Sequence, residues 1–310
     1  MNQLTKGIFQ RFSDNPILTK DIWPYEINSV FNPGSILLED GSTLLFCRVE
    51  DKTGKSHLTK AISKDGLHHW KIDENPTFLP NYDIHDSWGV EDPRITYLEE
   101  LKKYAIVYTA YGKPGPSVAL TLTKDFIHFE RMGTILQADD KDAALFPKKI
   151  KGRYVMVHRP RTDSGSHMWI SYSNDLIHWG DNKPMIETRA GSFWDANKIG
   201  LATPPIETEG GWLVLYHGVK NTSAGAVYRI GLALFDLENP EICIKRGAEW
   251  VFAPETFYER VGDVGNVVFP CGYVILSDRD TIHLYYGAAD TCIGVAMGKI
   301  SNMLAWLHEQ

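Results

Sequence analysis

The segments AISKDGLHHW (61–70), TLTKDFIHFE (121–130) and SYSNDLIHWG (171–180) repeat one pattern, an aspartate followed by histidine and an aromatic residue. A weaker fourth copy, LALFDLENPE, covers 232–241. The aligned aspartates are Asp65, Asp125, Asp175 and Asp236. Their spacing of about 50–60 residues is typical of the blades of a β-propeller or of another repeat array.

A β-rich run precedes each copy, and a fifth run follows the last one. The runs are TLLFCRVE (43–50), KYAIVYTAY (103–111), RYVMVHRPR (153–161), GWLVLYHGV (211–219) and TIHLYYGAAD (281–290). Each run follows another β-rich stretch across a turn, and no helical segment alternates with them, which disfavours a parallel α/β fold. The sequence therefore predicts an all-β protein, a single five-bladed β-propeller catalytic domain over 1–310. An N-terminal arm (about 1–25) and a short C-terminal helix (about 301–310) complete the prediction.

Composition narrows the class of protein. The 310 residues alone would suggest two domains, and the repeat replaces that expectation with five units of one domain. The net charge of −7 argues against nucleic acid as a partner, and no apolar run is long enough to cross a membrane. The first 16 residues lack the apolar run of a secretory signal, which favours a cytoplasmic protein. We expect four reduced, buried cysteines, Cys47, Cys243, Cys271 and Cys292.

Features that recur in every unit are expected to serve the fold. We assign the Trp or Phe of each copy to packing between blades, and we expect His69, His128 and His178 in the same element to be structural rather than catalytic. Function should instead come from residues that break the repeat and face one mouth of the central channel. In the first strand of each unit these are Asn32, Glu91, Asp92, Phe146 and Lys198. In the second strand they are Arg48, Glu50, Tyr108, Tyr111, His158, Arg159, Arg161, His217 and Asp290.

Four residues of this set are basic. Arg159, Arg161, Lys198 and His217 suit a small oxyanion such as phosphate, because guanidinium groups bind phosphate bidentately and lysine adds a point charge. Ordinary surface ion pairing is the alternative for these side chains.

Asp92 precedes Pro93 in GVEDPRI (89–95). A carboxylate at a strand mouth can act as a general acid or nucleophile, although an aspartate before proline also forms turns. The aromatic residues Trp88, Tyr108, Tyr111 and Tyr228 suit stacking on a sugar or, alternatively, packing in the core.

A series of short sequence motifs, in the same order along the chain as in a known family, gives the chain a family resemblance. They include FNPG (31–34), CRVE (47–50), VEDPRI (90–95), ALFPKKIKGRYVMVHRP (144–160), GWLVLYHGV (211–219), VYRIGLALFDLENP (227–240), GNVVFPCG (265–272) and LYYGAADTCIGVA (284–296). Together with W-x-x-x-KIG (194–200), they resemble the mannoside phosphorylases of glycoside hydrolase family 130, which are five-bladed propellers.

The resemblance implies inverting phosphorolysis of β-mannosides, with Asp92 as the catalytic acid. Asp92 would protonate the scissile oxygen through the 3-hydroxyl of the mannosyl unit while phosphate attacks the anomeric carbon, giving α-mannose 1-phosphate. The implied phosphate ligands are Arg159, Lys198 and His217, with Arg161 as a further candidate. The predicted substrate-binding residues are Asn32, Arg48, Glu91, Tyr111, His158, Tyr228 and Asp290. Inorganic phosphate is the co-substrate, and neither a metal nor an organic cofactor is implied.

Other interpretations stay open. A β-mannosidase on the same fold would use a carboxylate pair, and Glu91 and Glu50 supply extra carboxylates. Strand alternation predicts, however, that Glu91 and Asp92 point to opposite faces. A non-catalytic carbohydrate-binding propeller is the third interpretation. Both β-1,4 and β-1,2 linkages fit, with the VEDPRI variant favouring β-1,4. The arm and the C-terminal helix are candidate contacts of a homo-oligomer.

Overall fold

Five groups of antiparallel strands follow one another along the chain in the computed structural model, which describes residues 7–310. We number these groups as blades 1 to 5. A first strand, β1 (Phe9–Arg11), and a 3-10 turn (Lys20–Ile22) precede them. Blade 1 contains β2 (Ser29–Leu37), β3 (Thr43–Glu50), β4 (Ser56–Ser63) and β5 (Lys71–Ile72). Blade 2 contains β6 (Gly89–Leu98), β7 (Lys103–Gly112), β8 (Gly115–Thr123) and β9 (Phe129–Leu136). One parallel bridge, Ser56 to Gly89, links these two blades.

The second half of the chain repeats the arrangement. Blade 3 contains β10 (Asp140–Leu145), β11 (Tyr154–Thr162), β12 (Gly165–Ser166), β13 (Met168–Ser173) and β14 (Trp179–Ile186). Blade 4 contains β15 (Lys198–Leu201), β16 (Ile206–Thr208), β17 (Gly211–Thr222), β18 (Gly225–Phe235) and β19 (Cys243–Arg246). A one-turn helix, α1 (Phe257–Arg260), leads into blade 5, which contains β20 (Val268–Ile275), β21 (Thr281–Ala288) and β22 (Cys292–Lys299). The chain ends with helix α2 (Ile300–His308).

The ring is closed by the N-terminal strand. β1 pairs antiparallel with β22, with Phe9 opposite Gly298 and Arg11 opposite Ala296. The first strand is therefore the outermost strand of the last blade, so that this blade depends on both ends of the chain. The predicted five-bladed β-propeller with a short C-terminal helix is confirmed. Residues 1–6 of the predicted arm lie outside the described residues.

The core lies between neighbouring blades. Trp212 of blade 4 is fully buried and packs edge-on against Phe146 of blade 3, with ring centroids 4.9 Å apart. Phe129 of blade 2 stacks on Phe46 of blade 1 at 6.0 Å, as the repeat pattern predicted for this aromatic position. Phe146 is thus a core residue, and its assignment to the channel mouth was wrong. Its bulky apolar ring is buried because it fills the space between two sheets.

The repeated histidine belongs to a surface turn. Asp65, Asp125 and Asp175 each accept two backbone N–H bonds and pair with the Nδ1 atom of a histidine three residues later at 2.8 Å. In blade 1 that histidine is His68 and not His69, because one extra residue precedes Trp70 in this copy. The motif therefore stabilises a turn and carries no chemistry.

Two further details correct the sequence analysis. Helix α1 was missed because one turn of helix is too short to show apolar periodicity. Cys243 is exposed on the short outer strand β19, whereas Cys47, Cys271 and Cys292 are buried thiols as expected. None of the helices within residues 7–310 has the length and apolarity needed to cross a membrane.

Candidate active site

The innermost strands of blades 1 to 3 share an irregularity that builds the site. A β-bulge interrupts β2 between Phe31 and Gly34, and equivalent bulges interrupt β6 and β10. Each bulge contains one polar residue in the left-handed region, namely Asn32 (φ 44°), Asp92 (φ 50°) and Asp142 (φ 53°). Such bulges re-aim side chains, and left-handed residues other than glycine are typical of functional sites.

The first group of site residues surrounds Asp92. The carboxylate of Asp92, only 3% exposed, accepts a hydrogen bond from Nδ2 of Asn32 at 2.9 Å and from Nη1 of Arg48 at 3.1 Å. The Nη2 atom of Arg48 donates to Oε1 of Glu91 at 3.0 Å. The Arg48 guanidinium also lies over the ring of Phe31, 4.5 Å from its centroid. One guanidinium thus holds two carboxylates.

This arrangement overturns the expectation that Glu91 and Asp92 face opposite sides of the sheet. The bulge places both residues opposite one stretch of β7, and the left-handed conformation of Asp92 breaks the alternation. Both carboxylates therefore reach Arg48.

Burial and charge separate the pKa values of the two carboxyl groups. Burial raises the pKa of Glu91, and the adjacent Asp92 raises it further against the opposing charge of Arg48. Burial also acts to raise the pKa of Asp92, but Arg48, Lys141 and the Asn32 hydrogen bond together hold it below its ordinary value. Burial raises the pKa of Asp290, in the turn after β21, to about 6. A proton in this group therefore resides first on Asp290 or Glu91.

The second group of site residues is cationic and centres on Asp142. The Oδ2 atom of Asp142 accepts a hydrogen bond from Nε of Arg159 at 2.8 Å and lies 3.5 Å from Nε2 of His217. Lys198 lies over the ring of Tyr228, with Nζ 4.9 Å from the centroid. The ring of His217 lies 5.9 Å from that same ring. Arg159, Lys198 and His217 are therefore brought together, as the sequence predicted, and Tyr228, predicted to contact the sugar, lies beside them.

The titration of this group follows from burial. Burial lowers the pKa of Lys198 to about 8, and the charge of Arg159 lowers it in the same direction. Burial lowers the pKa of His217 to about 3, although Asp142 acts against this. His217 is therefore a neutral hydrogen-bonding imidazole near pH 7 and not a cation. The positive charge is carried by Arg159 and Lys198.

Two site residues escaped the sequence analysis. Lys141 and Asp142 stand in β10 where Glu91 and Asp92 stand in β6. The pKa of Lys141 is raised because Asp142, Glu91 and Asp92 together outweigh its burial. Its charge therefore acts on both groups of the site. The string KDA (141–143) was the available signal, but without the proline of EDP it was not aligned.

The remaining predicted residues lie elsewhere around the site. Tyr111 is 37% exposed at the channel rim, where it packs edge-on against Trp88 with centroids 5.1 Å apart. His158 is buried within blade 3, with Nδ1 2.6 Å from Asp140 and Nε2 2.6 Å from Oγ of Ser171. The side chain of Arg161 is 76% exposed, and Nη1 lies 3.9 Å from Asp139. The structure does not bring Arg161 or His158 into the cationic group.

A buried arginine lies between the two groups. Arg94 is 1% exposed, and its guanidinium donates to the backbone carbonyl groups of Asp92, Leu201 and Ala202 at 2.8–3.2 Å. Its Nη2 atom lies 3.8 Å from Oδ1 of Asp142. Arg94 therefore joins the inner strands of blades 2, 3 and 4. Within residues 7–310, no cluster of three His, Cys, Asp or Glu side chains has the spacing of a metal site.

The arrangement joins a carboxylic acid group to an anion-binding group in one polar pocket. Arg159, Lys198 and Lys141 provide positive charge, and His217 provides a neutral ring nitrogen. Asp92, Asn32, Arg48 and Asp290 provide the acceptors and donors that sugar hydroxyls require. The pocket is therefore equipped for a polar substrate together with an oxyanion.

Comparisons with known proteins agree with this architecture. A 1,2-beta-oligomannan phosphorylase of Thermoanaerobacter sp. (strain X514) is 38% identical over 305 residues, which cover 95% of this chain and 98% of the relative. A beta-1,4-mannooligosaccharide phosphorylase of Ruminococcus albus is 34% identical, with coverage of 97% and 91%. The solved structure of the beta-1,2-mannobiose phosphorylase from Listeria innocua, in complex with beta-1,2-mannobiose, superposes with a TM-score of 0.88 at 31% identity. It covers 97% of this chain and 99% of that one.

A family model described as beta-1,4-mannooligosaccharide phosphorylase matches residues 5–309. The match spans all five blades and both groups of site residues. This chain therefore belongs to glycoside hydrolase family 130.

Proposed function

We propose that this protein is an inverting phosphorylase that cleaves β-mannosides with inorganic phosphate and releases α-mannose 1-phosphate. The observation that carries the proposal is the placement of the Asp92 group and the Arg159–Lys198 group in the same pocket, joined by Arg94 and Lys141. An acid and an anion site are what a reaction between a glycoside and phosphate requires. The relatives reported above are named as phosphorylases of mannosides, which supports a mannoside as the glycoside.

The reaction needs one acid and no base. A phosphate oxygen forms a bond to the anomeric carbon from one face, and the bond from that carbon to the leaving sugar oxygen breaks on the other face. Asp92 supplies the proton for that oxygen through the 3-hydroxyl of the mannosyl unit. The proton that phosphate loses on becoming an ester restores Asp92. Arg159, Lys198 and His217 bind the phosphate, while Asn32, Arg48, Tyr228 and Asp290 contact the sugar.

Binding of phosphate also favours protonation of Asp92, the catalytic acid. In the free protein, positive charge holds the pKa of Asp92 low, so its carboxyl group is ionised near pH 7. A phosphate dianion beside Lys141 and Arg159 offsets that positive charge and favours the protonated carboxyl. We infer that Asp92 acquires its proton when both substrates are bound.

A β-mannosidase is the second candidate, favoured by the presence of Glu91 beside Asp92. An inverting hydrolase keeps its two carboxyl groups about 6.5–9.5 Å apart, with water between them. Glu91 and Asp92 instead accept from the two terminal nitrogens of one guanidinium, which holds the two carboxyl groups close together. This geometry favours phosphorolysis.

The linkage, the domain organisation and the cellular location are proposed from the relatives and from the sequence. We propose β-1,2-mannosides as the preferred substrates, because the relative named for that linkage shares more of its sequence with this chain than the β-1,4 relative does. We also propose that residues 1–310 form one catalytic domain. The four unpaired cysteines favour the reducing cytoplasm as its location.

One assay tests the function. The protein is incubated with β-1,2- and β-1,4-mannobiose, each with and without inorganic phosphate, and the products are identified. We expect α-mannose 1-phosphate and mannose only when phosphate is present, at a higher rate from the β-1,2 disaccharide. Release of free mannose alone, at a rate independent of phosphate, would establish a mannosidase. Affinity for mannosides without turnover under either condition would establish a binding protein.

A further inference from the structure

We infer that Asp142 is a positioning residue, which holds Arg159 and His217 in the orientation that receives phosphate. The inference rests on the proposed function, which it deepens by assigning a role to a carboxylate at the centre of an anion site. A negative charge at that place is unexpected, because it repels the ligand. Its contacts explain why it is there.

The first contact fixes the guanidinium plane of Arg159. Oδ2 of Asp142 accepts from Nε at 2.8 Å, on the inner edge of the guanidinium. The two terminal nitrogens, Nη1 and Nη2, have no hydrogen-bond partner among residues 7–310. These terminal nitrogens form the fork that binds an oxyanion bidentately. The carboxylate therefore orients the fork without occupying it.

The second contact is a close approach to His217, without a hydrogen bond, that packing around Gly200 enforces. The Nε2 atom of His217 lies 3.5 Å from the same Oδ2 atom, while Nδ1 is buried without a partner among the described residues. Gly200 lies directly beneath both side chains, and a Cβ atom at this position would clash with Oδ2 of Asp142 and Cε1 of His217. The close approach of the two side chains thus requires glycine at position 200.

The third contact anchors Asp142 itself. Oδ1 has no hydrogen-bond partner among the described residues and is balanced by the charge of Arg94, whose Nη2 lies 3.8 Å away and whose guanidinium is held by three backbone carbonyl groups. The left-handed conformation at the β10 bulge aims the carboxylate toward the channel. Residues from blades 2, 3 and 4 therefore meet at this one side chain. An anchored partner behind a ligand-binding group is how proteins fix the orientation of that group.

Two variants separate orientation from charge. Asp142→Asn keeps the shape and an oxygen that can accept from Arg159, whereas Asp142→Ala removes the acceptor. The affinity for inorganic phosphate is measured by titration calorimetry, without mannoside, so that the result does not depend on turnover. We expect Asp142→Asn to bind phosphate within about threefold of the unmodified protein. We expect Asp142→Ala to bind about 10- to 100-fold more weakly, as for loss of the orienting partner behind a metal ligand.

A matched control tests for a general effect of disturbing a buried ion pair. Glu259 is also fully buried and accepts from Nε of Arg11 at 2.7 Å, close to the base of blade 5. Glu259→Gln should lower thermal stability and leave the affinity for phosphate unchanged. Tighter phosphate binding by both Asp142 variants would overturn the inference, since Asp142 would then act only by repulsion. Unchanged affinity in both, with lower stability alone, would also overturn it.

Kinetics distinguish failure of this inference from failure of the proposed function. If the unmodified protein turns over mannosides without phosphate, the proposed phosphorolysis fails, whatever the Asp142 variants do in calorimetry. If turnover requires phosphate, Asp142→Ala should raise the KM for phosphate at least as far as it weakens binding, with the KM for mannoside nearly unchanged. An equal rise in both KM values would contradict a role specific to the anion site.

Discussion

Asn32 donates a hydrogen bond of 2.9 Å to the carboxylate of Asp92, and both residues are left-handed in bulges of neighbouring blades. The pair links blades 1 and 2 at the channel mouth. Because Oδ1 of Asn32 has no partner among the described residues, its amide is held chiefly by this contact. The bond orients the acid and favours its ionised form.

Replacing the acid should abolish turnover without removing the phosphate site. Asp92→Asn keeps the size of the side chain but cannot deliver a proton, so kcat for phosphorolysis should fall about 100- to 10,000-fold. Steady-state kinetics measures this loss. Phosphate affinity from calorimetry should be kept or increased, because Asp92 contacts Asn32 and Arg48 and not the Arg159 group, and its replacement removes a negative charge that opposes the bound anion. A variant with near-normal kcat would remove Asp92 from the mechanism.

The pH dependence of turnover should show that the pKa of Asp92 rises when phosphate binds. Asp92 has a lowered pKa in the free protein, and a bound phosphate dianion should raise it. Since the acid must be protonated, activity should fall as pH rises through that pKa. We therefore expect the falling limb of kcat to lie at higher pH than the corresponding limb of kcat/KM. Coincident limbs would contradict the coupling between phosphate and acid.

Deprotonation of Lys198 should weaken phosphate binding at alkaline pH. Its pKa is lowered to about 8, so the free protein loses this positive charge, and with it phosphate affinity, as pH rises above that value. Phosphate titrations between pH 6 and 9.5 test this. Lys198→Arg should keep the charge and remove the alkaline loss, although its geometry differs. Lys198→Ala should raise the KM for phosphate about tenfold at pH 7, the effect of losing about 1.4 kcal/mol. An alkaline loss that persists in Lys198→Arg would exclude Lys198 as its source.

Arg94 should be a large contributor to stability. Removing its guanidinium leaves three buried carbonyl groups and Asp142 without their partner. Arg94→Met should therefore lower the free energy of unfolding by about 3–5 kcal/mol, measured by denaturant titration. Arg161→Met is the matched control, because the Arg161 side chain is 76% exposed. The control should change stability by no more than about 0.5 kcal/mol. Equal effects of the two substitutions would refute the structural role of Arg94.

The sequence predicted the ring and most of the two residue groups, for separate reasons. The repeat predicted the blades because each copy of the aspartate–histidine turn connects the last two strands of one blade. Asp92, Arg159 and Lys198 were found because they break the repeat, and the family resemblance implied their roles. They are brought to the pocket by strands far apart in the sequence. Strand alternation failed at Glu91, because a bulge inserts a residue that no period-2 pattern records. Asp142 was missed because KDA (141–143) lacks the proline that marks the equivalent position in EDP (91–93).

Charge was the property hardest to predict. A histidine among arginine and lysine residues suggested a cation, yet burial leaves the His217 ring neutral. The sequence around His217 does not show how deeply its ring is buried. The ring packs against Phe269 of the next blade, with centroids 4.8 Å apart, and that residue is far away in the sequence. Arg161 shows the converse. It is two residues from Arg159 and on the same strand, but it extends into solvent.

The bonds of Arg94 tie the two groups of the site together. Its guanidinium bonds to backbone carbonyl groups on the inner strand of blade 2 and at the end of the inner strand of blade 4, and it faces the Asp142 carboxylate of blade 3. A shift of any one of these strands would therefore pull on the other two. The acid and the anion site should consequently keep their spacing as substrates enter and leave, and a substitution that loosens one group should loosen the other.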